Sequence, residues 1–133
     1  APPGGEIYFS DIRAMIFELR DKLRFRIEKV TFDGWQSIDS IQILRENGFE
    51  CEVLSVDKDT AAYDTLKEKM YAGQLYCYRY GPFFEEVKRL ELVVGTKVDH
   101  PPHGSKDVAD SVAGAVYAAV EHAGTIREVT ASY

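Results

Sequence analysis

The amino-acid sequence predicts an α/β fold in which a partly parallel sheet is flanked by helices. Segments with helical apolar spacing alternate with short β-branched runs, and Gly or Asn-Gly punctuates their ends, giving the order α-β-α-β-α-(β)-α-β-α. Strands joined through helices pair in parallel and are covered on both faces. The 133 residues suit one domain, and 45% hydrophobic with 29% charged residues excludes a disordered or fibrous chain.

The elements follow in order. After a Pro/Gly-rich lead over residues 1–5, Ser10 is the expected N-cap of a helix reaching Leu23, with Ile12, Met15, Ile16 and Leu19 on one stripe. Phe25, Ile27, Val30 and Thr31 predict a strand over 25–32 that ends at the Asp33-Gly34 turn. Ile38, Ile41 and Leu44 mark a helix over 35–47 closed by Asn47-Gly48, and 50–56 reads as a strand. A helix within 57–72, capped by Asp59 or Thr60, turns Ala62, Leu66 and Met70 inward and stops at Gly73. A short strand is expected at 75–78, a brief helix at 82–90, and a strand or hairpin arm at 92–98. The loop His100-Pro101-Pro102-His103-Gly104 cannot be helical. Ser105 then caps a last helix over 106–122, with Val108, Val112, Val116 and Val120 facing inward and 127–133 a frayed tail.

Bulk chemistry narrows the function. Cys51 and Cys77 have neither CxxC spacing nor a nearby histidine pair, so no zinc site or disulfide framework is signalled. No apolar run is long enough to span a membrane, and the first residues lack a signal pattern, so an intracellular, reducing location is expected. A net charge of −6 is the wrong sign for gripping phosphates through the overall field, although carboxylates that bind divalent cations reverse the local charge. There is no GxxxxGK[ST] loop, so this chain cannot itself hydrolyse ATP in that manner.

The candidate chemistry lies in carboxylates. Asp33 stands at the strand-end edge where open α/β sheets bind ligands, though Asp-Gly turn chemistry alone also accounts for it. Asp107 and Asp110, three residues apart at the start of the last helix, can share a cation or simply complement the helix dipole, a structural role that suits Asp107 better. Ala109, Ala113, Gly114 and Ala115 keep that helix thin and press Asp110 towards buried ground, where a lone carboxylate needs a cation or a hydrogen-bond partner. Asp99, His100 and His103 flank prolines without metal-site spacing and read as loop residues, and Asp57 reads as a helix cap.

Two stretches carry a resemblance. Val30-Thr31-Phe32-Asp33-Gly34-Trp35-Gln36-Ser37 and the segment from Lys97-Val98-Asp99-His100-Pro101-Pro102-His103-Gly104 through Ser105-Lys106-Asp107-Val108-Ala109-Asp110 resemble the C-terminal nuclease domain of phage and prophage terminase large subunits. The likeness covers nearly the whole chain. It implies a ribonuclease H-like fold that cuts concatemeric double-stranded DNA with two Mg²⁺ or Mn²⁺ ions. Asp33 then corresponds to the family's second acidic residue and Asp110 to the third, with Asp107 as neighbour. The resemblance also implies a first acidic residue on an opening three-stranded meander, and no stretch here matches it. The expectation is therefore a partial nuclease domain over 1–133, inactive alone, with a sheet edge open to self-association. An ATPase domain, a small terminase subunit and a portal are the implied partners, in the host cytoplasm. Two rival readings are a non-catalytic docking module using the 92–104 loop with Tyr76, Tyr78, Tyr80 and Phe83, and another ribonuclease H-like enzyme such as a junction resolvase.

Overall fold

A computed structural model describes residues 5–34, 37–93 and 97–131, with side chains described through Ala123. The fold is mixed α/β: five helices and two two-stranded sheets among the described residues, divided between two compact units, Ala1–Leu54 and Ser55–Tyr133.

The first unit is helix α1 (Phe9–Asp21), strand β1 (Val30–Phe32), helix α2 (Ile38–Glu46) and strand β2 (Cys51–Val53). As the alternating pattern predicts, β1 and β2 pair in parallel across the α2 crossover, with Val30 opposite Cys51 and Phe32 opposite Val53. Ile16, Ile41, Leu44, Phe49 and Cys51 form its core, lined by Ile12, Phe17, Ile27, Val30 and Phe32. Helix α2 ends in a Schellman motif: Gly48 takes φ +83°, its N–H bonds the Arg45 carbonyl, and the Phe49 N–H bonds the Leu44 carbonyl. Arg20 ties α1 to that end, donating to the Asn47 carbonyl at 2.7 Å and lying 4.2 Å above the Phe49 ring.

Several expectations need correction. Helix α1 starts at Phe9, one residue before the expected cap Ser10, and Tyr8 at its N-cap makes no side-chain cap bond. Met15 and Ile38 are exposed, because only part of each stripe meets the core. The strand expected over 25–32 shrinks to β1, since β2 offers only three partners, and Phe25 is exposed. Trp35 and Gln36 lie outside the described residues.

The second unit holds helix α3 (Ala61–Tyr71), helix α4 (Gly81–Arg89), strands β3 (Glu91–Val93) and β4 (Lys97–Asp99), and helix α5 (Asp107–Ala131). Strands β3 and β4 form an antiparallel pair, the hairpin alternative of the sequence reading. Helix α3 packs chiefly on α5, and the thin face is the reason: Ala109 and Ala113 are wholly buried against Ala62, Tyr63 and Leu66. Small side chains let the two backbones approach closely, with Val112, Val116 and Tyr117 flanking the contact. Gly73 ends α3 as expected, at φ +65°.

Here too the structure departs from expectation. Met70 is exposed, while Tyr63, which the inward list omits, is buried. Residues 75–78 form no strand, and Tyr76 and Tyr78 stand in the open, whereas Phe83 is buried and so unavailable for docking. The last helix continues through Ala131 in place of a frayed tail. No helix among the described residues is long and apolar enough to cross a membrane.

Candidate functional site

Asp33 follows β1 directly, at the carboxyl end of a parallel strand. It is exposed, and its Oδ1 accepts the Gly34 N–H at 2.7 Å, an Asx-type contact that shapes the turn. Asp33 lies in the first unit, and Asp107 and Asp110 lie in the second.

The start of α5 is built from three directions. The helix starts one residue later than expected, at Asp107, so Lys106 takes the N-cap position and Ser105, expected as the cap, precedes it with Oγ accepting the Asp107 N–H at 3.4 Å. Glu86 of α4 accepts the Ala109 N–H at 2.8 Å and the Ser105 hydroxyl at 3.1 Å. A carboxylate at a helix N-terminus satisfies an orphan donor and complements the dipole. Sequence reasoning misses Glu86, because the two residues meet only through the packing of α4 on α5. Asp107 is exposed, and its carboxylate accepts the Ser105 hydroxyl at 3.3 Å.

Asp110 has a different environment. Its side chain is 25% exposed, and the nearly buried Lys106, one helical turn earlier, donates to both its oxygens at 3.0 and 2.9 Å. The Tyr63 hydroxyl of α3 donates to Oδ1 as well. Lys106 also donates to Asp57 at 2.5 Å, so one ammonium joins two carboxylates 53 residues apart in the chain. The requirement that a half-buried Asp110 find a cation or hydrogen-bond partner is thus met within the chain itself. Asp57 is not the expected cap; Thr60 stands at the N-cap of α3 without a side-chain cap bond, and Asp59 before it accepts the Ala61 N–H at 2.9 Å. Lys97 extends the cluster, 4.0 Å from Asp57 and 3.2 Å from Asp99.

The electrostatics follow from these contacts. Burial lowers the Lys106 pKa, but hydrogen bonds to Asp57 and Asp110 outweigh it and the net shift is upward. Burial, reinforced by the bond to Asp110, pushes the Tyr63 phenol well above its ordinary value. The His100 N–H, followed by Lys97, holds the Asp99 carboxyl below its usual range. His100 turns its Nδ1 to the Pro101 carbonyl at 2.9 Å, and His103 is exposed at φ +67°, so both histidines belong to the loop.

A pH dependence follows. A raised folded-state pKa gives stability that is whole below the unfolded value and lost as pH rises through the folded one. For Tyr63 and Lys106, whose ordinary values are 10.0 and 10.5, the loss begins near pH 10. Urea unfolding at several pH values between about 8 and 11 is expected to show this decline, and Tyr63→Phe is expected to flatten it while lowering stability at neutral pH by about 1–2 kcal/mol. Parallel curves for the two proteins would contradict it.

Among the described residues, no group of three or more His, Cys, Asp or Glu side chains is arranged to hold a metal ion. The Asp110 oxygens are engaged by Lys106 and Tyr63, so as arranged these residues do not fit a metal. Comparison of the chain with protein-family models, curated proteins and solved structures finds no match.

Proposed function

We propose that the chain is part of a ribonuclease H-like endonuclease domain of a phage DNA-packaging terminase large subunit. Its substrate is concatemeric double-stranded DNA, its cofactor Mg²⁺ or Mn²⁺, and its acidic residues Asp33 and Asp110, with Asp107 beside them. An ATPase domain, a small terminase subunit and the portal are its partners.

One observation carries the reading: the two quoted motifs fall at the end of a parallel strand and at the first turn of the final helix. An exposed acid at the carboxyl end of a parallel strand stands where open α/β sheets bind ligands, and a carboxylate in the first turn of a helix is the second kind of oxygen donor the reading calls for. Metal-dependent hydrolysis needs such oxygen-rich ligands, and Mg²⁺ and Mn²⁺ are the divalent ions they suit. The overall charge of −6 leaves the DNA grip to other parts of the assembly.

A second reading, a silent docking module, is favoured by the exposure of Tyr71, Tyr76 and Tyr78 and by an open groove of about 600 Å³ lined by Leu66, Met70, Val87, Leu90, Leu92 and Val98. Supercoiled plasmid separates the two. With Mn²⁺, the full-length protein is expected to nick it, and Asp33→Ala and Asp110→Ala are each expected to lower the rate at least about a hundredfold, since even an outer-sphere partner is worth 10- to 100-fold. Intact plasmid under all conditions would favour docking.

A further inference from the structure

We propose that the segment Tyr76-Cys77-Tyr78-Arg79-Tyr80 is a stacking platform for single-stranded nucleic acid, its rings taking the bases and Arg79 the backbone phosphate. The proposal goes beyond the nuclease reading, since it needs neither a metal nor cleavage.

The chain displays these rings instead of burying them: Tyr76 is 91% exposed, Tyr78 77% and Tyr80 42%. The segment is nonetheless fixed at both ends. On one side the Gln74 N–H bonds the Lys69 carbonyl at 2.9 Å and Leu75 packs on the core of the second unit. On the other, Tyr80 has extended backbone at the N-cap of α4, and Phe83 of that helix is buried. Between these anchors, residues 76–79 make no backbone-to-backbone hydrogen bond among the described residues, and the Tyr78 and Tyr80 ring centroids lie 5.9 Å apart. Rings held on an anchored segment lose less freedom on binding than rings on a free tail.

Charge selects the partner. Residues 66–84 hold three basic side chains, Lys67, Lys69 and Arg79, against one acid, Glu68, in a chain whose net charge is −6. Arg79 is exposed and makes no hydrogen bond or ion pair among the described residues, so its guanidinium is open to a phosphate. A protein partner's apolar core would meet no aliphatic side chain between residues 76 and 80. Aromatic rings beside a cation instead match single-stranded nucleic acid, whose bases each offer a π-face to stack on and whose backbone carries the complementary charge. A duplex keeps its bases stacked on one another and has no free faces to give.

The test titrates the full chain into a fluorescein-labelled strand of about twelve thymidines at low salt, read by fluorescence anisotropy. EDTA is present, so that binding is read apart from any cleavage. Tyr76→Ala and Tyr78→Ala are each expected to weaken binding about fivefold or more, and Tyr78→Phe, which keeps the ring, to retain it. Arg79→Gln is expected to weaken binding and to flatten its salt dependence by about 0.7 in the logarithmic slope, the share of one phosphate contact. Tyr8→Ala, at a ring 61% exposed in the first unit, is the control and is expected to change nothing. All these side chains are exposed, so the variants keep the fold. Weakening at either Tyr76 or Tyr78 upholds the proposal. It is overturned by a wild type that leaves the strand free up to about 10⁻⁴ M protein, the weak end of non-specific affinity. Wild-type affinity in both alanine variants, or equal affinity for a duplex of the same length, overturns it as well. If sedimentation shows a self-association that the alanine variants abolish while strand binding is unchanged, the surface belongs to a second copy of the chain and the proposal fails.

Discussion

Leu44→Ala is expected to destabilise the first unit by about 2–5 kcal/mol, read as a fall in the denaturant midpoint at constant slope. Leu44 is wholly buried at the centre of the α2 face, against Ile16, Ile41, Phe49 and Cys51. Its carbonyl also accepts the Phe49 N–H that closes the helix. Truncation removes apolar contact and leaves a cavity that a sheet of two three-residue strands has few neighbours to fill. Ile38→Ala, on the same helix but 69% exposed, serves as the control, with an expected change within about 0.5 kcal/mol. Equal losses at the two positions would show that α2 does not present the face described.

Asp110→Ala is expected to cost the second unit about 2–4 kcal/mol, somewhat less than the 3–5 typical of breaking a fully buried pair. The loss has two sources: Lys106 keeps only Asp57, and the Tyr63 hydroxyl loses its acceptor. The discount reflects the 25% exposure of Asp110 and the 43% exposure of Asp57, which let water soften the imbalance. Asp107→Ala removes an exposed carboxylate that accepts the Ser105 hydroxyl, and is expected to cost no more than about 1 kcal/mol. A chemical denaturation series at neutral pH ranks the three proteins. Asp107→Ala falling as far as Asp110→Ala would contradict the assignment of the two aspartates to different environments.

Much of this architecture can be read from local signals. Gly48 and Gly73 end helices because each adopts positive φ, and the apolar spacing of Ile41 and Leu44 or of Ala62 and Leu66 points to the faces that are buried. The parallel β1–β2 pair follows from two strands joined by a helix. Strand lengths are less legible, since Phe25 has the composition of a strand residue but no partner opposite it. The segment at 75–78 misleads for the same reason: alternating tyrosines fit a strand, yet pairing is a tertiary event. At the candidate site, spacing shows that Asp110 leans inward from a thin helix. It does not show Tyr63, Asp57 or Glu86, which reach the start of α5 across 47, 49 and 23 residues of chain. Lys106 could have been anticipated, because a lysine four residues before an aspartate on a helix is within pairing distance.

The proposed nuclease function is tested most directly by Mn²⁺-dependent nicking of supercoiled plasmid with wild type, Asp33→Asn and Asp110→Asn, each confirmed as folded. The wild type is predicted to nick, and each substitution to lower the rate by about tenfold or more. Equal rates in all three proteins would contradict it.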